Sequence, residues 1–147
     1  MKKAIVILGI ILFSSFLITG CGGKKENEKS DASKENGKLA TKKAKDIDVR
    51  DLKEPCDYID ALVIVGEEFN NLMEANKNLK SADDISTEDQ TAMLELGIIA
   101  EEINKAFTDN KIDPNVSKNC DGVKKLKKIE NKKNELLKLY QLKEAYN

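Results

Sequence analysis

Hydrophobic positions fall into three regimes along the chain. An apolar run extends from Ala4 to Ile18, interrupted only by Gly9, Ser14 and Ser15. From Gly22 to about Asp46 the chain is Lys, Glu, Asn, Ser, Ala and Gly, with Leu39 the only large apolar residue. From about Ile47 onward apolar residues recur at spacings of three and four, the period of an amphipathic helix. No period-2 alternation of useful length appears, so the pattern predicts an all-α body.

Three helices are expected in that body. The first starts at Pro55, a favoured first helical position, and runs to about Leu79 with Ile59, Leu62, Gly66, Phe69 and Met73 on one face. Lys80 to Ile85 reads as a loop. The second starts after Ser86, an N-cap residue, with Glu88 and Asp89 favouring the positive end of the helix dipole. Its stripe is Ala92, Leu96, Ile99, Ile103 and Ala106, and it ends near Phe107. After a loop to Asp113, a third helix is expected from Pro114 to about Ala145. Its face is Val123, Leu126, Ile129, Leu136, Leu137 and Tyr140, with Lys132 and Lys133 interrupting it and Gly122 near its start. Each helix has one apolar side and none is stable alone. Short loops favour antiparallel neighbours, which predicts a three-helix up-down-up bundle with the first and third helices parallel. Gly66 is expected to oppose Ala100 across the first pair.

The N-terminal run has a different destination. Lys2 and Lys3 make a basic start, and fifteen helical residues span roughly 22 Å against a bilayer core of about 30 Å. The run therefore reads as the apolar region of a secretory signal rather than a membrane span. It ends on Ile18-Thr19-Gly20-Cys21. This stretch resembles the lipobox of bacterial lipoprotein precursors, with Ile where Leu is commoner. The resemblance covers residues 1–21 and implies that Cys21 is acylated and becomes the first residue of the mature chain. Two or more acyl chains hold a protein on a membrane where one does not. The expected organisation is a signal peptide over residues 1–20, the lipidated Cys21 and a disordered charged linker over 21–46, and the helical body over 47–147. As a coil the linker spans roughly 27 Å.

With Cys21 taken up by lipid, Cys56 and Cys120 remain as an even pair in an exported protein, where disulfides persist. The up-down-up topology puts both at one end of the bundle, early in the first and third helices. A Cys56–Cys120 disulfide is therefore expected, and it would fix the pairing of those helices.

Charge divides along the body. Residues 47–79 carry a net −5, residues 80–113 a net −6 and residues 114–147 a net +5. A basic third helix beside two acidic ones is favourable, though exposed pairs are individually weak. The run Lys124, Lys125, Lys127, Lys128, Lys132 and Lys133 is a solvated face or a site for an anionic partner. It lacks the interleaved aromatic residues on which nucleic-acid bases stack, and export also argues against nucleic acid.

Candidate chemistry is sparse. The chain has no His, which removes the commonest general acid–base and metal ligand. No zinc-type Cys spacing, P-loop, GxGxxG or GxSxG motif occurs. Glu67, Glu68, Glu101 and Glu102 lack the Glu-x-x-His partners of a di-metal carboxylate bundle. The segment Asp109 to Asp113 lacks the Gly and the terminal Glu of a calcium loop. No metal, no cofactor beyond the covalent lipid on Cys21, and no catalytic activity are expected.

One apolar anomaly remains. Leu94 and Ile98 fall roughly opposite the stripe of the second helix, and Ile64 sits amid the polar side of the first. They belong to a wider core, are scattered exposed residues, or form a partner patch. The sequence as a whole points to a membrane-anchored lipoprotein on the cell membrane or outer membrane, facing periplasm or exterior. Its expected role is that of a non-catalytic protein-interaction or envelope-accessory module; the alternative is a carrier of a small apolar ligand in a cleft between helices.

Overall fold

The computed structural model of the chain describes residues 43–79 and 84–146. The expected signal peptide, Cys21, most of the linker and most of the Lys80–Ile85 loop lie outside the described residues. Within them the chain is helical and forms no strand. Two 3-10 turns, Ala44–Asp46 and Val49–Asp51, precede four α-helices: α1 Pro55–Ala75, α2 Thr87–Asp109, α3 Pro114–Ser117 and α4 Gly122–Tyr146.

The helix starts follow local chemistry. Pro55 is the first residue of α1, and the Asp57 carboxylate accepts the backbone N–H of Glu54 at 2.8 Å, one half of a capping box. Ser86 Oγ accepts the N–H of Asp89 at 3.1 Å and starts α2. Asp113 accepts the N–H of Asn115 at 2.8 Å and starts α3 with Pro114 behind it. The end of α2 is a Schellman turn: Ile112 N–H donates to the carbonyl of Phe107 at 3.3 Å while Lys111 takes a left-handed φ of 53°.

α1 is the central element and packs against both α2 and α4, while α2 and α4 make at most marginal contact with each other. That placement explains why α1 buries far more than a single stripe. Tyr58, Ala61 and Val65 are fully buried beside the expected Ile59, Leu62, Phe69 and Met73. Contacts along α1 and α4 climb together. Cys56 is bonded to Cys120, Gly122 lies over Ile59 and Val63, Gly66 lies under Ile129, and the Tyr140 hydroxyl donates to the carbonyl of Met73 at 3.1 Å. Contacts with α2 run the other way. Asn76 Nδ2 donates to Asp89 at 3.0 Å near the start of α2, and Tyr58 meets Phe107 edge-on at 5.6 Å near its end.

Four expectations are corrected. The third helix is not continuous: α3 ends at Ser117, and the chain re-enters a helix only at Gly122. The intervening Lys118-Asn119-Cys120-Asp121 includes Asn, Cys and Asp, which compete poorly for helix interiors, and its backbone closes with i→i+3 bonds instead. Gly66 opposes Ile129 of α4, not Ala100 of α2. The buried side of α2 is Met93, Leu96, Gly97, Ala100, Ile103 and Phe107, turned from the expected stripe, so Ala92, Ile99 and Ala106 sit at its margin. Lys133 does not interrupt the apolar face of α4 but lies within it, 4% exposed.

The packed residues also begin ahead of Ile47. Ala44 is fully buried, and its N–H donates to the Glu68 carboxylate at 2.8 Å. Leu52 is buried as well, and its carbonyl accepts the Tyr58 hydroxyl at 2.9 Å. That hydroxyl in turn accepts from Asn110 Nδ2 at 2.7 Å, so one buried tyrosine ties the leading segment to the end of α2.

Candidate functional site

The described residues present four regions with chemistry to consider. The first is the corner where the two cysteines meet. Cys56 and Cys120 form a disulfide with Cα atoms 5.4 Å apart. α4 begins two residues later at Gly122, where an added Cβ would lie 2.5 Å from Asp60 Oδ1 and 2.9 Å from Ile59 Cγ2. The missing side chain is what lets α4 start flush against α1 beside the bridge. Asp60 is half-buried there. Burial pushes its carboxyl up, Lys125 opposes that shift, and Asp57 and Asp121 add to it.

The second region is the outer face of α2. Ile98 is 46% exposed and Leu94 is half-buried, within a row of exposed carboxylates that includes Glu95, Glu101 and Glu102. Ile64 does not join them: it is half-buried against the core on α1. The structure therefore brings Leu94 and Ile98 together at i, i+4 and separates Ile64 from both.

Compared with known proteins, the chain matches no family model, no curated protein and no solved structure.

The third region is an open groove of about 420 Å³ where the first 3-10 turn crosses α1 and α2. Its floor is Leu72, Ala92, Leu96 and Ile99, and Lys45, Glu68, Asn71 and Glu95 form its polar edge. The groove leaves no mark in the sequence, because residues 44–46 share the composition of the linker. Glu68 is committed there to the Ala44 N–H. Among the described residues no cluster of three or more His, Cys, Asp or Glu side chains is arranged to hold a metal ion, so Glu67, Glu68, Glu101 and Glu102 do not converge on one. The segment Asp109 to Asp113 is used as the Schellman turn and the cap of α3.

The fourth region is α4. Its inner side carries Ile129, Leu136 and the stem of Lys133, whose ammonium burial holds below the usual lysine range against the opposing pull of Glu130. Asn70 of α1 donates to the carbonyl of Ile129 at 2.8 Å and fixes the register of the two helices. The outer side is lysine-rich and includes Leu139, 46% exposed. Leu139 lies off the apolar stripe, and that position is the sequence signal that marks it. No helix among the described residues is long and apolar enough to cross a membrane.

Proposed function

We propose that this chain is a bacterial lipoprotein held on a membrane by acyl groups on Cys21, with its helices arranged up-down-up as a non-catalytic interaction module of the cell envelope. The observation that carries this reading is the Cys56–Cys120 bridge. Disulfides persist in exported proteins, and with this pair joined Cys21 is the remaining sulfhydryl, placed directly after an apolar run of signal length. The parallel run of contacts between α1 and α4, and the opposite run between α1 and α2, support the up-down-up arrangement, with α1 in the middle and α3 a short prelude to α4.

The candidate surface for an envelope protein partner is Leu94 and Ile98 on the outer face of α2. Ile98 is exposed within a row of carboxylates, a combination that suits a partner offering an apolar contact with a basic rim. The absence of His from the sequence, together with side chains engaged in capping and packing, favours binding over catalysis.

Two experiments test this. Cys21→Ala should move the protein from the membrane fraction to the soluble fraction; continued retention would refute the anchor. Ile98→Asp should abolish capture of partners by crosslinking in the native host while leaving the melting temperature unchanged. Loss of folding would instead place Ile98 in the core.

The groove at Leu72, Leu96 and Ile99 supports a second reading, a carrier of a small apolar ligand. Its volume falls within the range of ligand pockets, but it is open along one side, whereas such pockets enclose most of their ligand. Saturable binding of a fluorescent apolar probe, lost on Ile99→Glu, would favour the carrier.

A further inference from the structure

The outer side of α4 has more cationic character than packing requires. Around the sector facing away from α1 lie Lys124, Lys125, Lys127, Lys128, Lys132 and Lys138, all exposed, with Glu135 the one carboxylate among them. Neutralisation by acidic neighbours accounts for only part of this charge, because α1, itself acidic, lies behind α4 while these lysines face away from it. α4 rests on α1 and makes at most marginal contact with the acidic α2. Lys132 reaches Glu74 of α1 at 3.6 Å, and Lys125 lies near Asp60. No carboxylate among the described residues pairs with Lys124, Lys127, Lys128 or Lys138. Leu139 stands exposed on the same sector, farther along the helix.

We infer that this lysine face is a docking surface for anionic lipid head groups, so that the anchored body lies with α4 flat on the membrane. The inference rests on the lipoprotein reading for its setting, since a tethered body meets the bilayer continually. The geometry suits it. α4 is about 37 Å long, and Lys124, Lys128 and Lys132 follow one another turn by turn with Lys138 farther along the same side, so several reach a plane at once. Leu139 is placed to enter the boundary between head groups and acyl chains. The tether permits the pose: the residues between Cys21 and Lys43 reach about 70 Å when extended, more than the length of any helix in the body.

The body's net charge does not prevent docking. Helices pack with axes about 8–10 Å apart, and charges are screened over about 8 Å at physiological ionic strength. Acidic α1 lies on the opposite side of α4 and acidic α2 farther off still, so the head groups meet the outer lysines first. Each lysine brought to an anionic surface strengthens binding about fivefold. An acidic protein would also attract these lysines, but a long lysine-rich helix face with a single exposed apolar residue matches a plane of repeated head groups better than a shaped interface.

The test uses the full mature chain with Cys21→Ser, so that binding does not depend on the acyl group. It is sedimented with vesicles of phosphatidylglycerol and phosphatidylcholine, and with vesicles of phosphatidylcholine alone. Binding to the first and not the second is expected, weakening as salt is raised. Lys124→Gln with Lys128→Gln should weaken it about 25-fold, while Lys124→Arg with Lys128→Arg should retain it. Circular dichroism melts that match for both variants exclude misfolding as the cause. Equal binding to neutral vesicles would overturn the proposal. So would binding indifferent to the Gln pair but lost when the linker lysines are neutralised, which would assign it to the linker. Lysine-dependent self-association without vesicle binding would also overturn it and name a second copy as the occupant. Failure here leaves the anchor untouched, because that reading stands or falls on fractionation of Cys21→Ala.

Discussion

Gly66 offers the sharpest test of how the helices are assembled. A Cβ at this position would lie 2.6 Å from Ile129 Cγ2, about 1 Å inside ordinary carbon–carbon contact. Ile129 cannot swing aside cheaply, because a β-branched side chain in a helix has one strongly preferred rotamer. Nor does the backbone yield easily, since Asn70 holds the Ile129 carbonyl at 2.8 Å. Gly66→Ala therefore sets an overpacking cost of about 1–3 kcal/mol against a helix-propensity gain of about 1 kcal/mol. The expected net effect is a destabilisation of about 1 kcal/mol. Ile129→Leu moves the branch away from Cβ at similar volume and should cost less than about 1.5 kcal/mol alone. In the double variant the clash is gone, so the two substitutions should be less than additive by about 1 kcal/mol or more. Urea denaturation of the oxidised mature chain supplies all four corners of the cycle. Stabilisation by Gly66→Ala with no coupling to Ile129→Leu would refute the close approach of α1 and α4. Coupling to Ala100 instead would restore the pairing that the sequence suggested.

Three further outcomes follow from the same geometry. Lys111 holds a left-handed φ of 53° at the position a Schellman turn reserves for Gly, so Lys111→Gly should stabilise the fold by up to about 1 kcal/mol in the same assay. Asp60 has its pKa raised by burial, so its contribution to stability is fullest in acid and is lost as pH rises from the unfolded value through the folded one; Asp60→Asn should stabilise the protein at pH near 7 and lose that advantage near pH 3, as read from urea midpoints at both. Breaking the Cys56–Cys120 bridge by Cys56→Ser with Cys120→Ser opens a loop of about 65 residues and should cost up to roughly 4 kcal/mol; an unchanged midpoint would show that the bridge is not formed.

What the sequence made legible was mainly local. Ser86, Pro55 and Asp113-Pro114 mark helix starts because their side chains act within a few residues of themselves, and each does so in the structure. The all-helical character follows from periodicity, and the cysteine pair follows from counting cysteines with Cys21 set aside. What stayed hidden depends on which helix lies in the middle. Because α1 is sandwiched, Tyr58, Ala61 and Val65 are buried on a flank that a single-stripe reading leaves to solvent, and Gly66 serves α4 rather than α2. Ala44 looks like linker because a small residue among lysines carries no periodic signal, yet Glu68 draws its backbone into the core. Lys133 sits at the right spacing between Ile129 and Leu136 to face inward, and its charge masked that fact. Ile98 is legible as an outlier on its helix wheel, whereas Ile64, an outlier of the same kind, packs against the core because α1 is covered on more than one side.

The central claim is that the three cysteines divide into one lipid tether and one bridge. Non-reducing peptide mapping by mass spectrometry of the protein from its native host reads both at once. The account predicts a mature chain that begins at an acylated Cys21, together with a linked peptide pair containing Cys56 and Cys120. A chain that retains residues 1–20 ahead of an unmodified Cys21 thiol, or free thiols at Cys56 and Cys120, would contradict it.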